Sequence, residues 1–502
     1  MTIFKKKLFN ISLILTIILK VNTEEISPSV IIVGAGVSGI AAASKLFQNG
    51  FKNIKILEAE NKIGGRIYTT QFKNYVVDLG AQWVHGEEGN IALEIVQPLG
   101  LVEKSNLTSR QHRFFNSSGN KIADQAIIDD FNDFYYQIDE KLAEYAKDQA
   151  NVSKGEYFTK EFNNYFKAHS DLKENEKGLL HLMNMVTIIG DAGDSWWDIS
   201  TTSASEYHDN VGDHLINWKE RGYGTMLDIL MKRFPNPEEE LPVLNNTILN
   251  AEVTSINYSD PIGKVKVKTA NGDLYLADHV IYTCSLGVLK DEHKSLFQPH
   301  LSEEKQKTIK ALGFGVVGKI YLYFDEPWWS EDSSKISWAN FIWNDKDFEM
   351  LENDPKKKWL LGLVGFDLVE HKPKLLEGWL AGNYTREMEK LSDEEILNHC
   401  IEVLQRFLGK TYNITTPSGM IRTKWNSNNH FKGSYSFRSM KSDAENIWAS
   451  SLSEPIDEIN PKILFAGEAT NPHLFGTVQG AIETGWREAE RILAMHSNIA
   501  KN

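Results

Sequence analysis

Cysteine is scarce in this chain, with Cys284 and Cys400 the only two in 502 residues. A scaffold stapled by many disulfides is excluded, and two buried thiols or one disulfide are both compatible with the count. Positive charge is in deficit as well: 54 Lys and Arg against 68 Asp and Glu give a formal net charge of −14. An acidic body repels nucleic acid and attracts polycations, so no nucleic-acid partner is expected. Internal repeats and low-complexity tracts are missing, and 41% hydrophobic with 24% charged residues is neither a disordered nor a fibrous composition. The length suffices for two domains at about 100–200 residues each. Aromatic residues are plentiful, and such flat apolar groups either line a ligand tunnel or fill a large core.

Long apolar runs are missing too, with one exception. Leu8 to Leu19 follows Lys5, Lys6 and Lys7 and precedes polar Asn22, Thr23, Glu24 and Glu25. Such a run falls short of the roughly 20 residues that span a bilayer as a helix, so residues 1–23 read as a cleaved signal peptide rather than a membrane anchor. Removing it with Lys5, Lys6, Lys7 and Lys20 takes the net charge from −14 to −18. Beyond residues 1–23, seven Asn-x-Ser/Thr sequons, at Asn106, Asn116, Asn151, Asn245, Asn257, Asn383 and Asn413, agree with a secreted, N-glycosylated protein. The ending Ile499-Ala500-Lys501-Asn502 is neither a peroxisomal nor an endoplasmic-reticulum retention address. Nothing in the sequence sets an oligomeric state, and no metal site is expected.

Val30-Ile31-Ile32-Val33 has the composition of a parallel strand buried on both faces, a small-residue helix from Val37 to Gln48 follows, and Ile54–Leu57 supplies the next strand. From about Glu87 to Arg233 the pattern turns helical, polar and aromatic-rich, as in Ile128 to Lys147. Strand signals return at 253–258, 265–269 and 280–283 with a turn at Asn271-Gly272, then at Ile320–Phe324 and Trp359–Phe366; Ser392 to Glu395 is a capping box opening a helix to Leu408. Ile463–Ala466 is another buried strand, and a last helix runs from about Thr477 to Met495. The expected class is α/β, with a nucleotide-binding domain built from 28–86, 234–300 and 446–502. It interleaves with a second, α+β substrate domain built from 87–233 and 301–445.

Gly34-Ala35-Gly36-Val37-Ser38-Gly39 is a G-x-G-x-x-G loop between a strand and a helix. Gly34, Gly36 and Gly39 let backbone N–H groups and the helix N-terminus approach a pyrophosphate. Glu58, 19 positions beyond Gly39 at the end of the next strand, is placed to accept hydrogen bonds from ribose hydroxyls. A tight strand-to-helix turn alone would not require that acid. What distinguishes FAD from NAD is the continuation to Gly64-Gly65-Arg66.

With that continuation the sequence resembles the flavin-containing amine oxidase family, and the likeness extends almost end to end, nearest to its animal polyamine and spermine oxidases. The resemblance implies a Rossmann-like FAD domain of the GR2 type and non-covalent FAD, since no cysteine stands where monoamine oxidases attach theirs. It implies that Gly65 and Arg66 approach the flavin and phosphates, and that Gly80, Ala81, Gln82 and Trp83, within Asp78–Gly86, run beneath the flavin into the substrate cavity. His85, which ends that motif, becomes a substrate-contacting and catalytic candidate, where a lone histidine would read as structural. Val253 lies on the strand that touches adenine in relatives. In Val280–Lys290 the match holds except that Ser285 replaces a proline. Lys319, closing Gly313–Lys319, corresponds to the lysine that holds a water against flavin N5, and Trp425 and Tyr435 to the cavity wall. The resemblance also implies that Glu468 lies by the ribityl chain and that Thr477 and Val478 open the last helix at the flavin pyrimidine, with Thr477 a substrate contact as well.

The activity implied is oxidation of spermine, spermidine or their N1-acetyl forms, in which hydride passes from a carbon beside the neutral nitrogen to flavin N5 and oxygen restores FAD as hydrogen peroxide. Two other readings compete: a secreted L-amino-acid oxidase, which needs an arginine to clamp a carboxylate, and a non-catalytic FAD-containing binding protein. A histone demethylase reading lacks the additional segments of that class.

Overall fold

The computed structural model describes residues 28–105, 112–120, 125–169, 172–329, 338–457 and 459–496. The expected leader at 1–23 and the Asn106 sequon lie outside them. Val30–Val33 forms the middle of a five-stranded parallel sheet, flanked by His279–Tyr282 and then Ile463–Phe465 on one side, and by Ile54–Leu57 and then Thr247–Ile248 on the other. All four of its residues are buried, which is why the strand reads as a continuous β-branched run without alternation. Each such side chain contributes about 1.5–3 kcal/mol by leaving water.

The helix Val37–Gln48 packs against the C-terminal helix Val478–Met495. Ala41, Ala42 and Ala43 are fully buried there, and a Cβ on Gly485 would stand 2.2 Å from the Ser38 carbonyl oxygen, so the glycine is what permits the close crossing. Segments over 400 residues apart in the chain are thereby joined behind the dinucleotide loop.

The second body is a six-stranded sheet in the order Gly419–Arg422, Val317–Tyr323, Leu375–Ala381, Gly365–Leu368, Trp338–Ile342, His112–Asn116, antiparallel except for the last pair. One face carries the helices Gln125–Asp148, Lys154–Ala168 and Glu176–Asp191, whose core is built from aromatic rings such as Phe131, Phe158 and Phe162. Most aromatics of that stretch therefore fill a core. Packing divides the stretch 87–233 unequally: Ala92, Leu93, Val96 and the residues from Ile216 to Met231 share one core with the first strand and helix, while the three long helices form their own.

The sequence pattern at Trp359–Phe366 suggested one strand, but the chain makes a 3₁₀ turn over Lys358–Gly362 before the strand Gly365–Leu368 begins. A short apolar run does not distinguish a strand from a buried turn. Here Trp359, Leu360 and Leu361 all enter one and the same core, whereas a strand would send alternate side chains to opposite faces. By contrast, the capping box at Ser392 and the helix it opens, Asp393–Leu408, are where the pattern placed them.

Candidate active site

One cavity of about 880 Å³ runs from the carboxyl ends of the parallel strands into the space between the two bodies. At its first end the loop after Val33 turns at Gly34, with φ +103, where a Cβ would meet the Thr283 hydroxyl at 2.7 Å. Gly36 is N-cap of the following helix with no side chain capping it, so the first-turn N–H groups face the cavity and no atom lies within 4 Å of where its Cβ would be. The buried Ser38 hydroxyl, also on the lining, has no partner. Gly39 does not line the cavity; it lets the helix seat on the loop, since its Cβ would be 2.1 Å from the Gly34 carbonyl oxygen. The Glu58 carboxylate accepts from the N–H of Ala35 at 2.6 Å and of Glu60 at 2.8 Å, two donors that oppose the rise in its pKa caused by burial. Val253 and Cys284 complete this end; burial pushes the Cys284 thiol up to about 12, and both cysteines are free thiols.

In the middle, Arg66 Nη1 donates to the Ser434 carbonyl and to Glu468, each at 2.7 Å. Glu468 also accepts from the Ser436 hydroxyl at 2.6 Å and the Gly476 N–H at 2.9 Å, so this buried carboxylate ties three segments together. Ser285 N-caps its helix by accepting from the Val288 N–H and donates to the Phe431 carbonyl at 2.6 Å, a link between segments that proline could not make. Thr477 N-caps the last helix through the Gly480 N–H at 2.9 Å and donates to the Leu474 carbonyl, so its hydroxyl is committed to the helix start.

At the far end the floor is the segment Gly80–Trp83 beneath the strand that carries Lys319. Lys319 is 4% exposed, and its ammonium donates to the carbonyls of Asp78 at 3.1 Å and Gly80 at 2.9 Å and to the Gln82 side chain. Trp83 stacks on Trp379, 5.3 Å between centroids, and Lys319 Nζ lies 4.4 Å from the Trp379 ring. Trp425 is fixed by donation to the Leu79 carbonyl, and Tyr435 by donation to the Ile189 carbonyl at 2.6 Å. The His85 ring is open to the cavity but deep in the fold, and the lost hydration lowers its pKa. Its Nδ1 sits 2.7 Å from the His214 carbonyl. A carbonyl only accepts, so the hydrogen belongs on Nδ1 and Nε2 is left as an acceptor.

A model of flavin-containing amine oxidoreductases matches residues 37–493. The chain belongs to that family. It is 28% identical over 93% of its length to the human peroxisomal N(1)-acetyl-spermine/spermidine oxidase, covering 95% of that protein, and 28% identical over 92% to the fruit-fly protein anon-37Cs, covering 90%. The human lysine-specific histone demethylase 2 is 30% identical over 93% of this chain, which spans 53% of that longer protein. A solved putrescine oxidase double mutant superposes with a TM-score of 0.67 at 17% identity, covering 93% of this chain and 99% of the other, which shows a shared fold.

For this amine oxidase the cofactor is FAD. Its features fit that group: a glycine cradle, an uncapped helix N-terminus with an unpartnered serine beside it, and a carboxylate at the ribose position. All the residues singled out from sequence line the one cavity except Gly39. Sequence reasoning missed Trp379, Tyr207 and His214, and above all the acids Asp139, Glu140, Asp191 and Asp209. The acids come from helices and a loop whose charged residues look like any solvated face. Glu206, a further acid of the same region, pairs with Arg438 at 3.0 Å and is not on the lining. No helix among the described residues is long and apolar enough to cross a membrane.

Proposed function

We propose that this amine oxidase acts on polyamines, taking spermine, spermidine or an N1-acetyl derivative to an aldehyde, a shorter amine and hydrogen peroxide. The observation that carries the reading is the charge at the cavity mouth. Asp139, Glu140, Asp191 and Asp209 stand against one lysine, Lys154, which is itself paired with Asp191 at 2.7 Å. An uncompensated negative mouth concentrates a long polycation and repels a carboxylate. The names of the peroxisomal relatives agree with this class of substrate. Arg66 is the one arginine on the lining among the described residues, and Ser434 with Glu468 holds it, so no free guanidinium is there to clamp an amino acid.

FAD, when bound, takes hydride from the carbon beside nitrogen and hands the electrons to oxygen. The protein's share is to bind, orient and handle protons. An alkylammonium, with a reference pKa of about 10.4, must lose a proton before it can give hydride, and the free Nε2 of neutral His85 is an acceptor for it. The rings of Trp425 and Tyr435 hold the alkyl chain by apolar contact. Lys319 keeps a proton at Nζ on the floor, available to the steps after hydride loss.

Secretion is part of the same proposal. It is supported by the leader pattern at 1–23 and by exposed sequon asparagines at Asn151, Asn245, Asn383 and Asn413. Mass analysis of the protein exported by a eukaryotic host tests it, with glycan-free intracellular protein as the contrary outcome. Peroxide release with spermine, N1-acetylspermine, spermidine, a monoamine and L-leucine tests the substrate. Polyamine turnover with leucine inert is expected; leucine turnover would transfer the chain to the amino-acid oxidases, and flavin without any turnover to the binding proteins.

A further inference from the structure

Behind Lys319 lie two carboxyl groups for which the chemistry above has no use. Tyr321, two residues along the Lys319 strand, is in register with Glu377 on the neighbouring strand, and Glu377 in turn with Asp367 on the next. Alternation puts Lys319, Tyr321, Glu377 and Asp367 on one face. Glu377 is 2% and Asp367 6% exposed, and neither lines the cavity. One Glu377 oxygen accepts from Gln82 Nε2 at 2.9 Å; the other has no hydrogen-bond partner and faces Lys319 Nζ at 3.7 Å.

The other charged groups around this cluster are already engaged or stand further out. Asp78, on the segment covering the face, accepts from the Tyr223 N–H at 3.0 Å and from the Thr69 hydroxyl. Lys372 and Glu370 belong to the turn joining the Asp367 and Glu377 strands; the Lys372 ammonium attracts Asp78 first and Glu377 second from beyond ion-pair distance, and Glu370 accepts from Asn217. The row thus holds one ammonium against two facing carboxyl groups. Two carboxylates directly opposed on paired strands repel, and a buried charge without a partner costs several kcal/mol.

We propose that Asp367 and Glu377 hold one proton between them, act as a single negative charge, and so position Lys319 and keep it an ammonium at the cavity floor. Electrostatics agree in direction. Burial and then the Glu377 charge drive the Asp367 carboxyl far above its usual range, while burial lowers Lys319 and Glu377 is the first group to oppose that fall. Removing the Glu377 charge withdraws support from the charged lysine, which then loses its proton at lower pH.

The test uses the flavin-loaded enzyme. Infrared spectra near neutral pH are expected to show a carboxylic-acid C=O band in the wild type that vanishes in Asp367→Asn. In Glu377→Gln the alkaline limb of kcat/KM is expected to move down by about one pH unit, tenfold in proton affinity, while Asp367→Asn leaves it in place and Lys319→Met abolishes it. The same substrate is used throughout, so its own titration cancels. A wild-type spectrum unchanged by Asp367→Asn, or an unmoved limb in Glu377→Gln, overturns the proposal. If Glu377→Gln retains no flavin, the infrared comparison decides alone. That comparison involves no substrate, so its outcome is separate from whether polyamines are turned over.

Discussion

The two ends of the cavity are built by different means. At the nucleotide end the recognising groups are backbone, with glycines at 34 and 36 and the N-terminus of one helix, joined by one side chain, Glu58, whose carboxylate already accepts two N–H groups of its own neighbourhood. At the floor and mouth they are side chains brought from six or more segments, such as His85, Asp139, Asp191, Lys319 and Tyr435. A backbone cradle is rigid and tolerates almost no added atom. A side-chain chamber can lose one member and keep its shape, changing rate or affinity in place of structure.

The sharpest way to expose that difference is Gly39→Val. Its Cβ would fall 2.1 Å from the Gly34 carbonyl oxygen, so a cost of about 3 kcal/mol and near-complete loss of flavin are expected. Flavin absorbance per protein and a denaturant midpoint measure both; normal flavin content would remove the claim that the end is rigid. Lys319→Met comes next. It should keep flavin yet lower kcat/KM by about 10²–10⁴, the range of a lost proton-handling group. If flavin leaves together with activity, the floor is part of the cofactor scaffold and the contrast fails.

Smaller effects sharpen the mouth. Asp191→Asn strips Lys154 of its partner and should raise KM for spermine about fivefold, near 1 kcal/mol for a charge at short range in a wet site, with the change shrinking in salt. An equal change for a neutral amine would point to altered shape. Thr477→Ala removes an N-cap and should cost about 1 kcal/mol of stability with little change in KM. A large KM effect at unchanged stability would make Thr477 a direct substrate contact.

The smallest effect concerns pH. The folded pKa of His85 lies below its unfolded value, so the unfolded chain binds the proton better. Its contribution is neutral above the unfolded value near 6.5 and turns destabilising as pH falls below it. The wild type should therefore lose stability relative to His85→Gln on acidification; parallel curves would show that His85 titrates as if in water.

Legibility followed the same division. The strand Val30–Val33, the glycine loop and Glu58 were readable because each is a local requirement: a buried parallel strand, a close approach, an acid at the end of the next strand. The turn at Lys358–Gly362 was misread as strand because a short apolar run carries no period. Asp139, Asp191 and Glu377 were invisible for a different reason. An acid on a helix or strand has the same letters whether it faces water, a cavity or another carboxyl.

By itself, the sequence determined the nucleotide-binding βαβ unit, which depends on contacts within a few dozen positions, and the amine oxidase kinship with the residues of its motifs, each of which is a short local pattern of letters. Only the tertiary structure decided that Lys319 stands over Gly80 and Gln82, that four acids surround one paired lysine at the mouth, and that Asp367 faces Glu377. Those juxtapositions come from strand register and from the packing of segments hundreds of residues apart, and register is set by the sum of many weak contacts that no single stretch of sequence contains.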